Sequence, residues 1–382
     1  MADIRTFQSR SQDAREAVRE LHAGISQADA AFVVFFCAPS YDRDALAEEI
    51  NRLFAGVPVV GCTTAGEIGP EGYCEGSLTG ASFPKGLFDG VAGRIGNLHE
   101  FSLGDGQAAG QELMHRLEAQ SPRSNQDNSF ALLLIDGLSM REEQVTRALQ
   151  HAIGRAPLVG GSAGDGLRFQ ATFVFHDGAF HTDSAVVLLA STILPFKAFK
   201  SQHFRSTDRR LVVTEADTAT RTVFEINGMP AADEYARMVG MNREDLCPDV
   251  FAKSPVVVVI DGGDYVRSIQ KANPDGSLTF YCAIESGLVL RIANGHDLLD
   301  GLRQTLGGLS DDVGPLSFVF GSDCILRRLE VLQGGLCEEV SEVFKLHKTV
   351  GFSTYGEQFG GVHVNQTLTG LAFGQGPEDA VA

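Results

Sequence analysis

Residues 195–210 form the part of the sequence whose side chains are best suited to hold a ligand. The segment carries five cationic side chains and one acid on a chain whose formal net charge is −18. Cations and aromatic rings around an imidazole suit a partly apolar, anionic ligand that needs a nitrogen donor. The alternative is a surface linker whose cations keep it solvated and whose aromatic rings cover a domain seam. The residues are Lys197, Lys200, Arg205, Arg209 and Arg210, with Asp208, Phe196, Phe199, Phe204 and His203.

Three further residues are candidates for the same ligand. His363 is a second imidazole, and it lies in the glycine-flanked segment 360–365. Tyr265 and Arg267 are two residues apart in a predicted strand, so they share one face and could bind a carboxylate. As alternatives, His363 is held in place by hydrogen bonds, and Tyr265 and Arg267 are an ordinary exposed pair.

Two other residues carry weaker signals. Cys324 could serve as a thiolate ligand, but the neighbouring Arg327 and Arg328 could equally form structural salt bridges. His296 stands at a predicted helix start beside Asp297, a plausible cap, so we do not expect it to bind a ligand.

Residues 160–164 match G-x-S-x-G, the motif that places a nucleophilic serine in α/β-hydrolases. That motif must open a helix, whereas residues 167–175 have the pattern of a strand. Asp177 and His181 are conceivable partners for Ser162, but their spacing does not favour them. We therefore expect no enzyme activity, and we keep a serine hydrolase as an alternative.

The dominant pattern in the sequence is a repeat. Residues 60–67 and 350–357 both follow V-G-x-[S/T]-T-x-G-E, and each is followed at the same distance by a second similar stretch, at 77–83 and 367–373. A looser copy occupies residues 159–165. Each copy follows a short apolar run and a helical pattern, with predicted helices at 44–54, 141–153 and 338–346. This periodicity predicts a module of strand, helix, strand, glycine turn and strand that is used several times.

Composition limits the class of protein. An acidic chain repels nucleic acid, so no nucleic-acid partner is expected. No apolar run approaches the roughly 20 residues of a membrane span, and residues 1–5 do not resemble a signal peptide, so we expect a cytoplasmic protein without membrane insertion. The seven cysteines match no zinc-ligand spacing and are expected to be structural thiols.

The motif at 61–67, the segment from Val213 to Gly228, and the motif at 351–357 with Asn365 and Thr367 resemble FIST proteins. The resemblance implies an α/β (α+β) fold of two domains, with mixed sheets covered by helices. We expect an N-terminal helix in 1–29, a FIST N-type domain at 30–214, a FIST C-type domain at 215–376 and a disordered tail at 377–382.

FIST domains are sensory ligand-binding modules, and the chain is similar to the nitric-oxide-sensing branch called NosP. That likeness implies a haem cofactor and a partner histidine kinase. The candidate haem residues are His203, His363, Arg205, Tyr265 and Arg267, with His203 as the iron ligand because haem accepts a proximal histidine. A sensor of another small molecule, such as an amino acid, is the alternative.

Overall fold

The computed structural model of the chain describes residues 3–260 and 262–376, so the predicted tail at 377–382 lies outside the described residues. The described chain forms two compact units. Unit 1 comprises residues 3–200, 302–362 and 368–376, and unit 2 comprises Ser201–Gly301 and His363–Thr367. The predicted boundary near residue 215 lies inside one continuous strand of unit 2, Phe204–Asp217.

The first two copies of the repeat share one order of elements: strand, helix, strand, helix, strand, hairpin and strand. Copy 1 contains β1 (Arg5–Ser9), α1 (Ala14–Ile25), β2 (Ala30–Cys37), α2 (Arg43–Leu53), β3 (Val59–Thr63), β4 (Glu67–Gly69), β5 (Gly72–Cys74) and β6 (Leu78–Pro84). Copy 2 contains β7 (Phe88–Gly96), a 3-10 turn (Leu98–Glu100), α3 (Leu103–Gln120), β8 (Ser129–Ile135), α4 (Glu142–Ile153), β9 (Leu158–Ser162), β10 (Val174–His176), β11 (Ala179–His181) and β12 (Ser184–Thr192). The repeating module is therefore larger than the motif that revealed it.

The third copy begins at β13 (Phe196–Ser201) and is interrupted by unit 2. Unit 2 contains β14 (Phe204–Asp217), β15 (Thr222–Ile226), β16 (Met229–Pro230), α5 (Ala231–Val239), a 3-10 turn (Arg243–Asp245), α6 (Pro248–Lys253), β17 (Val256–Ile260), β18 (Gly263–Arg267), β19 (Ile269–Ala272), β20 (Leu278–Phe280) and β21 (Val289–Gly295). Copy 3 resumes with α7 (Leu298–Val313), β22 (Leu316–Cys324), α8 (Ile325–Gln333), α9 (Cys337–Leu346), β23 (Thr349–Thr354), β24 (Glu357–Phe359), β25 (Val362–Val364) and β26 (Leu368–Gly374). The helix α8 has no counterpart in copies 1 and 2.

Each copy contributes a parallel pair of strands to a sheet of its own. The parallel pairs are β2 with β3, β8 with β9, and β22 with β23. In each sheet the last strand of the copy, β6, β12 or β26, lies antiparallel to the first member of that pair. The predicted fold class, mixed sheets with covering helices, is confirmed.

The hairpins connect the copies in a closed cycle. Strand β10 of copy 2 extends the sheet of copy 1 at β3, β24 of copy 3 extends the sheet of copy 2 at β9, and β4 of copy 1 extends the sheet of copy 3 at β23. Copies 2 and 3 therefore each supply a strand to the sheet of the copy before them, and copy 1 supplies one to copy 3, which covers main-chain groups that an isolated copy would leave exposed.

The apolar core of unit 1 lies where the three sheets face one another. Along β2, alternate residues such as Phe32 and Phe36 enter this shared core, while Val33 and Phe35 pack with residues of α1 and α2. The Phe36 ring stacks on Phe352 of copy 3 with 4.6 Å between centroids. Strand alternation thus gives each buried strand two apolar faces, as expected for sheets covered on both sides.

Close strand contact explains the repeated glycine of the motif. A Cβ atom on Gly351 would lie 1.7 Å from the carbonyl oxygen of Gly321, and one on Gly160 would lie 1.9 Å from that of Leu133. Both glycines stand in parallel strand pairs, where no side chain fits.

Unit 2 has a single sheet in the order β18-β17-β21-β14-β15-β20-β19, with β16 added beside β15. Its largest apolar cluster includes Leu211, Val223 and Tyr235. Residues 195–210 form β13 and the first part of β14, so this segment is regular strand for most of its length. The change from unit 1 to unit 2 falls within this segment, between Lys200 and Ser201, and Lys197, Arg205, Arg209 and Arg210 are exposed.

Several sequence predictions agree with the elements observed. The helices predicted at 44–54, 141–153 and 338–346 are found as α2, α4 and α9, each shifted by at most one residue at either end. The N-terminal helix is α1, but a strand, β1, precedes it and pairs with β6. In the described residues, no helix is long and apolar enough to cross a membrane.

Candidate functional site

The glycine turns of the three copies meet in unit 1. Main-chain hydrogen bonds join each pair of turns, and in each pair one of them measures 2.9 Å: Ala65 N to Ser353 O, Gly164 N to Thr63 O, and Ser162 N to Gly356 O. The three bonds close a ring, so each turn is fixed by both of the others. We call this arrangement the turn ring.

The repeated glutamates hold their turns from within. The buried carboxylate of Glu67 accepts hydrogen bonds from Ser77 N at 3.0 Å, from Ser77 Oγ at 2.8 Å and from the Thr64 hydroxyl. Glu357 accepts from Thr354 Oγ1 at 2.6 Å in the equivalent place. Burial raises the pKa of Glu67 above its usual value, and these bonds offset part of that rise. Each repeated glutamate thus fixes its own turn.

Asp165 takes the equivalent part in copy 2. It accepts main-chain N–H bonds from Phe169 at 2.8 Å, Gln170 at 2.9 Å and Ala171 at 3.0 Å, and a further bond from the Tyr355 hydroxyl. Burial alone would raise the pKa of Asp165, but these four bonds more than offset it, so the pKa lies below its usual value. This carboxylate fixes the loop that follows the turn.

A cavity of about 330 Å³ opens beside the turn ring. Its wall combines one cation with acids and apolar side chains from copies 1 and 2 and from α8. The lining includes Pro39, Thr64, Gly66, Glu67, Glu75, Leu167, Ile325, Arg328, Leu329 and Leu332. We call it the turn cavity. Its mixed lining suits a small molecule with an apolar body and a polar end.

Arg328 is the cation of the turn cavity. Its side chain is 5% exposed, and Nη1 donates to Ala65 O at 2.6 Å. Nη2 donates to Glu75 Oε1 at 2.8 Å, although the Glu75 side chain is 75% exposed. Gly66 has φ of +136°, and a Cβ atom there would lie 1.1 Å from Nη1 of Arg328. The motif glycine therefore provides the space for the guanidinium group.

A buried charge pair supports the helix that carries Arg328. Arg327 Nε donates to Asp323 Oδ1 at 2.8 Å, and the Tyr73 hydroxyl donates to the other carboxylate oxygen. The Arg328 Cζ atom lies 5.5 Å from the centroid of the Tyr73 ring, within cation–π range. These contacts set the position of the first turns of α8 against copy 1.

The residues predicted to bind haem all lie in unit 2. His203 precedes β14, is 4% exposed, and packs its ring on Phe204 with 4.1 Å between centroids. His363 is 1% exposed, and its carbonyl oxygen accepts a bond from Arg267 Nη1 at 2.7 Å. Arg205 is exposed. The structure thus brings Arg267 and His363 together, through a main-chain oxygen.

Tyr265 lies on β18 with Arg267, as predicted, and it is half-buried beside the apolar cluster of unit 2. The chain brings β18 to the start of β14, where Ser206 N donates to Asp264 Oδ2 at 2.8 Å. His296, which we discounted, donates through its main-chain N–H to His203 O at 2.7 Å. The roles of His203, His363, Arg205, Tyr265 and Arg267 in binding remain predictions.

Ser162 of the G-x-S-x-G match is fully buried in β9. Its Oγ accepts a hydrogen bond from Gln358 Nε2 at 3.0 Å, and no helix follows the turn before β10. The serine therefore belongs to the turn ring and lacks the exposed position of a hydrolase nucleophile.

All seven cysteines are free, and Cys324, the weaker ligand candidate, is buried. Among the described residues, no group of three or more histidine, cysteine or acidic side chains is placed to hold a metal ion.

Sequence reasoning missed the turn cavity because Arg328 comes from a helix outside the repeat. The available signal was Gly66, which precedes the repeated glutamate and leaves room for a side chain from elsewhere. The paired arginines at 327 and 328 were considered for salt bridges, and both form one.

Comparison with known families matches the FIST N domain to residues 31–229 and the FIST C domain to residues 231–360. The chain therefore belongs to the FIST family of sensory domain proteins. No curated protein matches the chain. A solved structure described as "Cyanuric acid hydrolase: evolutionary innovation by structural concatenation" is similar at 11% identity and a TM-score of 0.37, covering 98% of this chain and 100% of that one.

Proposed function

We propose that the protein is a sensor that binds a small molecule in the turn cavity and reports binding to a partner histidine kinase. The observation that carries the proposal is the turn ring with its adjoining cavity and one buried cation. A ligand there would contact turns from two copies and the helix α8. Because each turn is bonded to both others, a shift in one is passed to the rest of unit 1.

The contacts of the turn ring favour sensing over hydrolysis. Its carboxylates and hydroxyls bond to main-chain groups of the turns, and its one serine within a hydrolase-like motif is buried. Such groups hold the backbone in place and leave the cavity wall to bind a ligand.

The finer proposal is that the ligand is haem and the signal nitric oxide. It draws support from the NosP resemblance and from two buried imidazoles in unit 2. Haem needs an open face at the axial nitrogen. His203 is 4% exposed and His363 is 1% exposed, and neither lines the turn cavity. As described, these residues do not fit haem, so no step of the mechanism is derived through it.

The location of the ligand can be tested with a tryptophan reporter, because the chain contains no tryptophan. Leu332→Trp places the fluorophore at the wall of the turn cavity, and Leu346→Trp places it on α9, among residues that do not line the cavity. A metabolite library is screened for compounds that raise the melting temperature of the wild type. We expect the compounds found to change the emission of Leu332→Trp and to leave Leu346→Trp unchanged. A compound that raises the melting temperature without changing the emission of Leu332→Trp would show that the ligand binds outside the turn cavity.

Haem is tested separately by adding one equivalent to the wild type, His203→Ala and His363→Ala. A shifted Soret band that is lost only in His203→Ala would support haem binding at that residue. Loss of the shifted band only in His363→Ala would support haem binding with His363 as the iron ligand. A spectrum identical to free haem in all three proteins would rule out the haem proposal.

The kinase proposal has its own measurement. A histidine kinase captured with the tagged protein should change its rate of autophosphorylation when a compound from the screen is added. An unchanged rate at saturating compound would contradict signalling through that kinase.

A further inference from the structure

We propose that Glu75 is an exchangeable counter-ion of Arg328, and that the ligand of the turn cavity is a small apolar carboxylate that takes its place. The inference rests on the proposed function, since it names the ligand class for the same cavity. It is carried by the geometry of three groups: the guanidinium of Arg328, the carboxylate of Glu75 and the apolar wall.

The Arg328 guanidinium is buried and fixed at one edge. Its bond to Ala65 O uses one of five N–H donors, and Gly66 and the Tyr73 ring limit its position on two further sides. A planar guanidinium held in this way presents its remaining edge to an acceptor. A carboxylate is the acceptor that matches that edge with two parallel bonds.

Glu75 now occupies that edge from the solvent side. Its side chain is largely exposed and contacts Arg328 through a single 2.8 Å bond. The next residue, Gly76, has φ of +68°, so the chain turns directly after Glu75. An exposed carboxylate regains its hydration when it swings away, so releasing it costs little. A ligand carboxylate can therefore replace Glu75 without leaving Arg328 buried and uncompensated.

The rest of the cavity wall selects the body of the ligand. Ile325, Leu329 and Leu167 line it, and these side chains offer no hydrogen bonds. The other acid of the wall, Glu67, accepts hydrogen bonds from Ser77 and Thr64, so its carboxylate is bound to the turn of copy 1. The volume of about 330 Å³ accommodates molecules of roughly the size of a phenyl-substituted short acid.

The test is a calorimetric titration with butanoate, hexanoate, benzoate and 3-phenylpropionate, each compared with its primary amide. We expect at least one acid to bind and its uncharged amide to bind at least ten-fold more weakly. Glu75→Gln should tighten binding of the acid by about two- to five-fold, the factor that an exposed ion pair contributes. Arg328→Gln and Arg328→Lys should both lose binding, the lysine because it cannot form the paired bonds.

Glu71→Gln is the matched control for Glu75→Gln. Glu71 lies between β4 and β5, pairs with Arg10 at 2.7 Å, and is largely exposed like Glu75, but does not line the cavity. The substitution removes the same charge from the same hairpin, so it reports the long-range effect of charge alone. Circular dichroism checks that the Arg328 variants are folded, and the Glu75 variant tests the proposal even where they are not.

Three results would overturn the inference. They are equal binding of acid and amide, no gain for Glu75→Gln beyond that of Glu71→Gln, and no heat with any acid. The first of these, accompanied by a change in Leu332→Trp emission, would leave the cavity as the site of a neutral ligand and the proposed function intact. Acid binding that leaves Leu332→Trp emission unchanged would contradict both the inference and the proposed function.

Discussion

Gly66 and Arg328 show how a single residue type decides what the turn cavity can hold. The positive φ of Gly66 and the missing side chain together leave the volume that the guanidinium fills. In the third copy the equivalent motif keeps the glycine and the glutamate. Residues that differ between the copies therefore supply the chemistry of the site, whereas the main-chain bonds of the turns recur from copy to copy.

Glu49 on α2 gives a prediction for the pH dependence of stability. Its carboxylate is buried and accepts bonds from Arg52 Nη2 at 2.6 Å and from Arg19 Nε at 2.8 Å. The bond from Arg52 is the main cause that lowers the pKa of Glu49 to about 2. Because the folded pKa lies below the unfolded one, the stabilisation is present above about pH 4.5 and is lost as pH falls toward 2.

Glu49→Gln should therefore lower the midpoint of urea unfolding at pH 7, and the difference from the wild type should shrink as pH approaches 3. Glu48→Gln is the control, since Glu48 is exposed and forms an ion pair with Arg15 at the surface. A difference that stays constant from pH 7 to pH 3 would contradict the role of the carboxylate.

The cysteines give a second prediction at this scale. In the native protein, one thiol is exposed, two are half-buried and four are buried: Cys247, then Cys74 and Cys337, then Cys37, Cys62, Cys282 and Cys324. Burial raises the pKa of Cys37 and Cys62, so their thiolates are scarce as well as inaccessible. A thiol reagent should modify Cys247 first, with the buried four reacting only after denaturation. Mass mapping that finds Cys37 or Cys62 labelled early would disagree with the fold.

At the scale of elements, the parallel strand pairs depend on the repeated glycine. Strands β22 and β23 approach at Gly321 and Gly351 with no room for a methyl group. This pair also carries the turn of copy 3 and accepts the hairpin strand β4. Its loss would disturb the sheet and the turn ring together.

Gly351→Ala should lower the free energy of unfolding by about 3 kcal/mol or more, because the new Cβ atom must displace main chain. Gly307→Ala is the matched control, since Gly307 lies in the helix α7 and a new Cβ would have no atom within 4 Å apart from its chain neighbours and the backbone of its own helix. Alanine there should raise stability by about 0.5–1 kcal/mol through helix propensity. Urea unfolding measures both, and similar effects for the two variants would contradict the close approach at Gly351.

At the scale of the whole chain, the cycle of hairpins makes unit 1 a closed set of three copies. No copy completes its own sheet, because the edge strand comes from another copy. The main part of unit 2, Ser201–Gly301, interrupts copy 3 after its first strand, so the order of the copies is kept despite the interruption.

This arrangement predicts that copy 1 does not fold alone. A fragment of residues 1–85 lacks the strand β10 that covers β3, and it exposes the Phe36 face that packs on Phe352. We expect poorly dispersed amide signals in its NMR spectrum, in contrast to the full-length chain. A well-dispersed spectrum from a monomeric fragment would show that the hairpin exchange is dispensable.

The sequence by itself determined the repeated turns and most of the strands and helices around them. These features follow from side-chain alternation, glycine placement and turn residues, which act over a few neighbouring positions. Only the tertiary structure decided which sheet each hairpin joins, where unit 2 is inserted, and that Arg328 reaches the turn of copy 1. The bond from Arg328 to Ala65 spans 263 residues. A contact of that kind depends on how the copies pack, and no local pattern in the chain encodes it.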